Sequence, residues 1–269
     1  MIPPEFESAL REIALGGFRY FETTGSTNDI ALEWASKGAL DLSLVVADEQ
    51  INGRGRSGRQ WFTLSGAGLA FSLVLRPIET ERRQIARFSG LAALALVNVL
   101  KNHAISAQIK WPNDVLIRRK KVAGILTETV WLGTEIESLV LGMGVNVLPG
   151  SLPPGEILNY PATSLETELL DNPGSSAGGA GLSRFQLLKD LLSELIDLRK
   201  NLASDGFLEA WQTALAFRGE NVHIWQGHSH SYTAELLGLA SDGSLRVRLP
   251  DGGLNIIHFG EVHLRPLVE

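Results

Sequence analysis

Residues 52–61 read Asn-Gly-Arg-Gly-Arg-Ser-Gly-Arg-Gln-Trp and set Arg54, Arg56 and Arg59 among Gly53, Gly55 and Gly58. Arginine offers planar, permanently charged donors that match phosphate and carboxylate oxygens. Glycine lets the backbone approach a ligand closely and take positive φ. Arginines this close repel one another unless an anion sits among them, so the segment reads as a loop that closes over a polyanion. Trp61 is placed to pin its end to the core. Three other readings compete. Gly53-x-Gly55-x-x-Gly58 formally matches the dinucleotide fingerprint, but that fingerprint needs its glycine turn to open a helix at once, and Gln60-Trp61-Phe62-Thr63 does not start one. Arg-Gly repeats bind RNA when disordered, whereas this one is short, bounded by strands and part of an acidic chain. A solvated charged turn leaves the repulsion uncompensated.

A second constellation is Lys110-Trp111-Pro112-Asn113-Asp114. Pro112 fixes a turn and stops the strand ladder, which presents Lys110, Asn113 and Asp114 at a strand end. Pro-Asn-Asp is also ordinary β-turn chemistry, so this segment alone proves little. Shortly after, Lys121 enters the apolar run Val122-Ala123-Gly124-Ile125-Leu126 beside two small residues. An ammonium at a strand mouth next to glycine suits a carboxylate or phosphate. Arg119 and Lys120 read as a solvated hairpin tip. Trp111 fits either a ligand slot or the core.

Two motifs are decoys. Gly174-Ser175-Ser176-Ala177-Gly178 matches the hydrolase G-x-S-x-G pattern without the buried strand that pattern needs. His223, His228 and His230 surround a hairpin expected at Gln226-Gly227-His228, with no acidic residue near enough to complete a metal set. No metal site is expected.

The elements that must hold these residues can be read from periodicity. Strands are expected at 18–21, 44–47, 69–75, 107–110, 115–118, 124–129 and 138–147. Ser26 or Thr27 caps a helix with Ile30, Ala31 and Trp34 on one face, closed near Gly38. A long helix is expected over 81–102, with Ile85, Phe88, Leu91, Leu94 and Val97 inward. Ser183 and Gln186 form a capping box for a helix that turns Phe185, Leu188, Leu191, Leu192 and Leu195 inward, and another helix covers 207–216. Residues 171–181, rich in Gly, Ser and Ala, read as a flexible loop. After Arg218, five short strands at close spacing suggest a small barrel. The boundary near 217–219 divides the chain into 1–217 and 218–269.

Bulk properties bound the rest. The chain has 269 residues, 44% of them hydrophobic, enough for a large core. It has no cysteine, which excludes a disulfide framework, a Cys-ligated metal and a thiol nucleophile, and fits a cytoplasmic setting. A net charge of −6 gives no overall footprint for nucleic acid. The N-terminus has no secretory signal, and no apolar run is long enough for a membrane span.

Taken in order, Ser26-Thr27-Asn28, the loop from Gly53 to Trp61, Lys110–Asp114, Lys121–Leu126 and Gly142-Met143-Gly144-Val145-Asn146 resemble the biotin–protein ligases. The resemblance is close over 18–167 and looser beyond. It implies an α+β fold: a mixed β-sheet flanked by helices, of the class II aminoacyl-tRNA synthetase and biotin ligase type, followed by a C-terminal SH3-like β-barrel. It implies biotin contacts from Ser26, Thr27, Gln50, Gly53, Arg54, Gly124 and Lys121. It implies adenylate contacts from Arg56, Arg59, Trp61, Lys110, Asn113 and Asn146, and catalytic roles for Lys121, Arg56 and Asp114. Ser57 stands where relatives often carry a basic residue. The substrates implied are biotin and ATP with Mg²⁺, and the partner is a carboxylase carrier domain. Too few residues precede the first strand for the DNA-binding domain of the repressor relatives, so the single-function class is expected, without nucleic acid. The oligomeric state stays open, a homodimer included.

The chemistry implied is acyl activation. A carboxylate is a poor acyl donor until ATP converts it to a mixed anhydride, and cations fixed at the α-phosphorus stabilise the charge that develops. A carrier lysine then attacks, with Asp114 the candidate to orient or deprotonate it. A lipoate- or octanoate-type ligase is the nearest alternative, since lipoate ligases share the core but lack the arginine loop. A non-enzymatic nucleotide-binding module is the other.

Overall fold

The computed structural model describes residues 2–153, 160–171, 183–226, 230–258 and 262–266. Most of the 171–181 stretch, the G-x-S-x-G decoy and the turn 227–229 lie outside the described residues.

The first half of the chain builds one mixed sheet. Its strands are β1 (Gly17–Thr24), β2 (Ser43–Gln50), β3 (Gly68–Leu75), β4 (Ala107–Lys110), β5 (Asp114–Ile117), β6 (Lys120–Leu132) and β7 (Glu135–Asn146), in the order β1-β2-β3-β7-β6-β5-β4. β1 and β2 run parallel and every other pair is antiparallel. Period-two alternation sends the strands' side chains to two faces. Helix α2 (Thr27–Ser36), the β1–β2 crossover, packs Ala31 and Ala35 on one face against Val45, Val74 and Val140. The other face, with Leu44, Val46, Phe71 and Leu73, joins the main core under α1 (Pro4–Leu10), α4 (Arg87–Asn102) and α6 (Arg184–Arg199).

The helix expected over 81–102 is two pieces, α3 (Glu79–Arg82) and α4. The chain turns between them. Glu81 is held by Arg199 at 2.7 and 2.9 Å, while Arg87 enters the interior at the first turn of α4. Ser183 stands at the N-cap of α6, but its hydroxyl makes no capping bond, and Gln186 donates instead to Asp190. The capping box expected there is absent. The helix expected over 207–216 is α7 (Asp205–Thr213), capped by Ser204, whose Oγ accepts from Phe207 N at 3.1 Å. A short helix, α5 (Leu165–Leu170), precedes α6.

Five strands follow: β8 (Asn221–Gln226), β9 (His230–Leu239), β10 (Leu245–Arg248), β11 (Leu254–Ile257) and β12 (Val262–Pro266). They form an antiparallel sheet in the order β11-β10-β9-β8-β12. Its buried side chains, including Val222, Ile224, Leu236 and Leu245, belong to the same core cluster as Phe88 and Leu91 of α4. Trp211 is the keystone. Its ring lies so close to Gly90 of α4 and to Gly243 of the β9–β10 turn that a methyl group on either would collide with it. Arg87 donates to the carbonyls of Leu202, Ser204 and Ser241.

Candidate functional site

A cleft of about 100 Å³, partly open to solvent, lies where the N-terminus of α2, the arginine–glycine loop and the ends of β5, β6 and β7 meet. One end is a buried polar network. Thr27 donates to Gln50 Oε1 from its backbone N at 2.8 Å and from Oγ1 at 3.1 Å, and Gln50 Nε2 donates to Thr63 Oγ1 at 3.3 Å. Ser72, buried in β3 on the α2 side, lies 2.8 Å from Thr27 Oγ1 and 2.6 Å from Asn28 Oδ1. Ser26 stands at the N-cap position of α2 beside them, without a side-chain capping bond, and is 3% exposed. Mutual bonding fixes the direction of each donor and acceptor, so this end can read a small polar group with little reorganisation.

The middle is a flat, glycine-floored slot that the Trp61 ring fills. Gly124 and Gly144 are paired across β6 and β7, and the indole of Trp61 lies over both. A methyl at 144 would fall inside the indole, and one at 124 would stand 3.0 Å from Trp61 Cζ3 and 3.1 Å from Lys121 Nζ. Gly142, two residues back on the same face, leaves room for the Asn28 amide in the same way.

The far end is cationic. Antiparallel pairing sets Lys110 opposite Asp114, and Asp114 opposite Gly124. Lys121 Nζ therefore reaches Asp114 Oδ1 at 2.6 Å, and Lys110 Nζ reaches Oδ2 at 3.1 Å. Burial pushes the Asp114 carboxyl up, but the two ammonium groups outweigh it and hold it well below the usual carboxylate range. Lys110 also stands over the Tyr160 ring at 4.7 Å. Asn113 is locked onto β6, its Nδ2 donating to Ile125 O at 2.9 Å, and Arg56 Nη1 donates to Asn113 Oδ1 at 3.3 Å. Arg56 and Arg59 bracket a tight turn, closed by Gly55 N on Arg59 O at 2.7 Å, that needs positive φ at Ser57 and Gly58. Arg54, Arg56, Arg59, Lys110 and Lys121 line the cleft, with Asp114 the one carboxylate among its described lining residues. Such a surface accepts an anion larger than a single carboxylate.

Of the residues singled out in the sequence, Ser26, Thr27, Gln50, Arg54, Arg56, Arg59, Trp61, Lys110, Asn113, Asp114, Lys121 and Gly124 line this cleft together. Gly53 and Asn146 do not. Gly53 is at the loop's neck, where a side chain would strike the Trp61 carbonyl. Asn146 is buried and donates to Thr163 O at 3.1 Å, tying residues 160–164 alongside Lys121, whose own carbonyl accepts from Thr163 N. The hairpin tip is not simply solvated: Arg119 pairs with Glu220 at 2.7 Å and covers Phe217. Trp111 is 1% exposed and donates from Nε1 to Gly243 O at 3.1 Å, which gives it a core role at the cleft's edge. Asp114, with its depressed pKa, is a poor proton acceptor, so orienting an amine suits it and deprotonating one does not. Ser72, Glu128 and Tyr160 went unnoticed in the sequence because their partners are distant along the chain. The alternation of Gly142 and Gly144 was the available signal for the slot.

Residues 20–146 match the model of the biotin/lipoate A/B protein ligase family. The biotin–[acetyl-CoA-carboxylase] ligase of Paracoccus denitrificans is 34% identical over 239 residues, covering 85% of this chain and 93% of that protein. The bifunctional ligase/repressor BirA of Bacillus subtilis is 31% identical over 239 residues, covering 87% of this chain and 70% of that protein. Among solved structures, the biotin protein ligase of Aquifex aeolicus in complex with biotin and ATP is 28% identical, with a TM-score of 0.75 over 93% of this chain and 99% of that one. With the arginine loop, the glycine slot and the Lys110–Asp114–Lys121 cluster assembled around one cleft, the chain belongs to the biotin protein ligase family.

Proposed function

We propose that this protein activates biotin with ATP as biotinyl-5′-AMP, releasing pyrophosphate, and transfers the biotinyl group to a lysine of a carboxylase carrier domain. The observation that carries this reading is that Lys121 and Arg56 line one cleft whose opposite end is the buried Ser26–Thr27–Gln50 network. The network takes the ureido ring, and the Trp61 indole, seated on Gly124 and Gly144, flanks the aliphatic chain. Lys121 then stands where the biotin carboxylate meets the α-phosphate. Lys110, Arg56 and Arg59 spread positive charge over the phosphates and favour the charge that develops as pyrophosphate departs. Asp114 holds the two lysines in place, and its anionic form orients the incoming carrier lysine, which gives its proton to solvent, attacks the acyl carbon as the free amine and displaces AMP. The loop over the slot excludes water from the anhydride.

Mg²⁺, when bound with ATP, would supply charge neutralisation at the phosphates, beside that given by Lys110, Arg56 and Arg59. Asp114, already engaged by two lysines, would not hold it, and the described residues contain no cluster of three His, Asp or Glu side chains. The division of labour follows the sheets: residues 1–217 bind both substrates, and residues 218–269 pack against them as an SH3-like unit.

Intact mass of a carboxylase carrier domain incubated with the protein, biotin and MgATP tests the reading. A gain of one biotinyl group is expected, with none when lipoate or octanoate replaces biotin. Acylation by lipoate or octanoate alone would assign the chain to the lipoate branch.

A further inference from the structure

The loop's first arginine lines the cleft and also pairs its guanidinium with two carboxylates. Arg54 Nη1 and Nη2 make a two-pronged pair with Glu128 Oε1 and Oε2 at 2.9 and 2.6 Å, and Nη2 also reaches Asp29 Oδ1 at 2.8 Å. Glu128 lies on β6 and Asp29 on α2, so one side chain ties the loop to both walls of the slot. Glu128 is itself positioned. Asn28 Nδ2 donates to its Oε2 at 2.8 Å, while Asn28 Oδ1 accepts from buried Ser72 and its amide rests on Gly142. The backbone cooperates at the same point. Arg54 pairs with Gln60 in an antiparallel bridge, and Trp61 N donates to Gly53 O at 2.8 Å. Glu128 is 25% exposed, Arg54 38% and Asp29 56%, so each pair alone is weak, but a two-pronged pair shared with a second carboxylate is the geometry in which such contacts do contribute.

We propose that Glu128, oriented by Asn28 and assisted by Asp29, is a positioning residue that holds the arginine–glycine loop closed over the cleft from within the chain. Arg54 is the latch and Glu128 its keeper. Arg56 and Arg59, beyond the latch, are thereby presented to the cleft. The consequence for catalysis rests on the biotin ligase reading. The latch itself does not.

The test uses limited trypsin digestion of the ligand-free full chain, with fragments identified by mass. Cleavage of a transiently opened segment tracks the population of the open form. In Glu128→Gln, cleavage after Arg56 and Arg59 is expected to be about five-fold faster, while cleavage after exposed Lys200 keeps its wild-type rate. The charge-exchanged pair Arg54→Glu with Glu128→Arg is expected to return loop cleavage toward wild type. Loop cleavage unchanged in Glu128→Gln overturns the proposal. So does equal acceleration at Lys200, which marks general loosening. With biotin and MgATP present, Glu128→Gln is further expected to release acyl-adenylate to solution about five-fold faster at a nearly unchanged rate of pyrophosphate exchange. A wild-type protein that forms no adenylate would sink the enzymatic reading and leave the digestion result standing.

Discussion

At the scale of single residues, the site is governed by one carboxylate shared between two amines. The Asp114 carboxyl titrates below its unfolded value, so it contributes stability that is present above the ordinary carboxylate range and is lost as pH falls through the folded value. Asp114→Asn removes the carboxylate that both Lys110 and Lys121 reach. The loss is expected to be about 2 kcal/mol at pH 7, below the range for fully buried pairs because Lys121 keeps some solvent. Denaturant titrations at pH 7 and pH 3 check this, and the gap between wild type and variant should narrow at the lower pH. Lys121→Ala removes the cation nearest the reacting atoms and should lower biotin-dependent ATP–pyrophosphate exchange by at least about a hundred-fold. Near-normal exchange would strip Lys121 of its assigned role. These two residues were legible in the sequence because short-range pairing of β4, β5 and β6 brings them together. The pairing of Arg54 with Glu128 and Asp29 was not legible, because those partners come from another strand and a helix distant along the chain.

At the scale of elements, the strands were the most legible part, since a buried strand shows itself as a short apolar run. Their ends were not. β6 and β7 run past the core to Leu132 and Glu135, where side chains are exposed and the hydrophobic pattern fades. The split between α3 and α4 was hidden because its cause is tertiary: Glu81 is pulled to Arg199 of α6, and Arg87 is buried against the C-terminal part of the chain. The glycine slot belongs to this scale as well. Gly144→Ala should drive the Trp61 ring off β7, and with it the end of the loop. Overpacking of this kind costs about 1–3 kcal/mol, so KM for biotin should rise about ten-fold or more, with a quenching change in Trp61 fluorescence read against a Trp61→Phe control. An unchanged KM would show that the indole does not set the slot.

At the scale of the whole molecule, an acidic chain of net charge −6 carries its positive potential in one cleft. Screening weakens attraction between separated charges, so KM for ATP should rise between low and physiological ionic strength while KM for uncharged biotin analogues stays level. Among the described residues, no helix is long and apolar enough to cross a membrane.

The β9–β10 turn has the widest reach. Gly243 supplies the acceptor for Trp111, at the start of the turn that carries Asn113 and Asp114, and makes room for Trp211, while Ser241 receives Arg87. The strands from β8 to β11 are thus packed into one core with the sheet and helices that precede them. Cut away, they would leave an indole and a guanidinium with buried partners missing. Heating the intact protein should accordingly give a single calorimetric peak, and a chain ending at residue 217 should precipitate or melt without cooperativity.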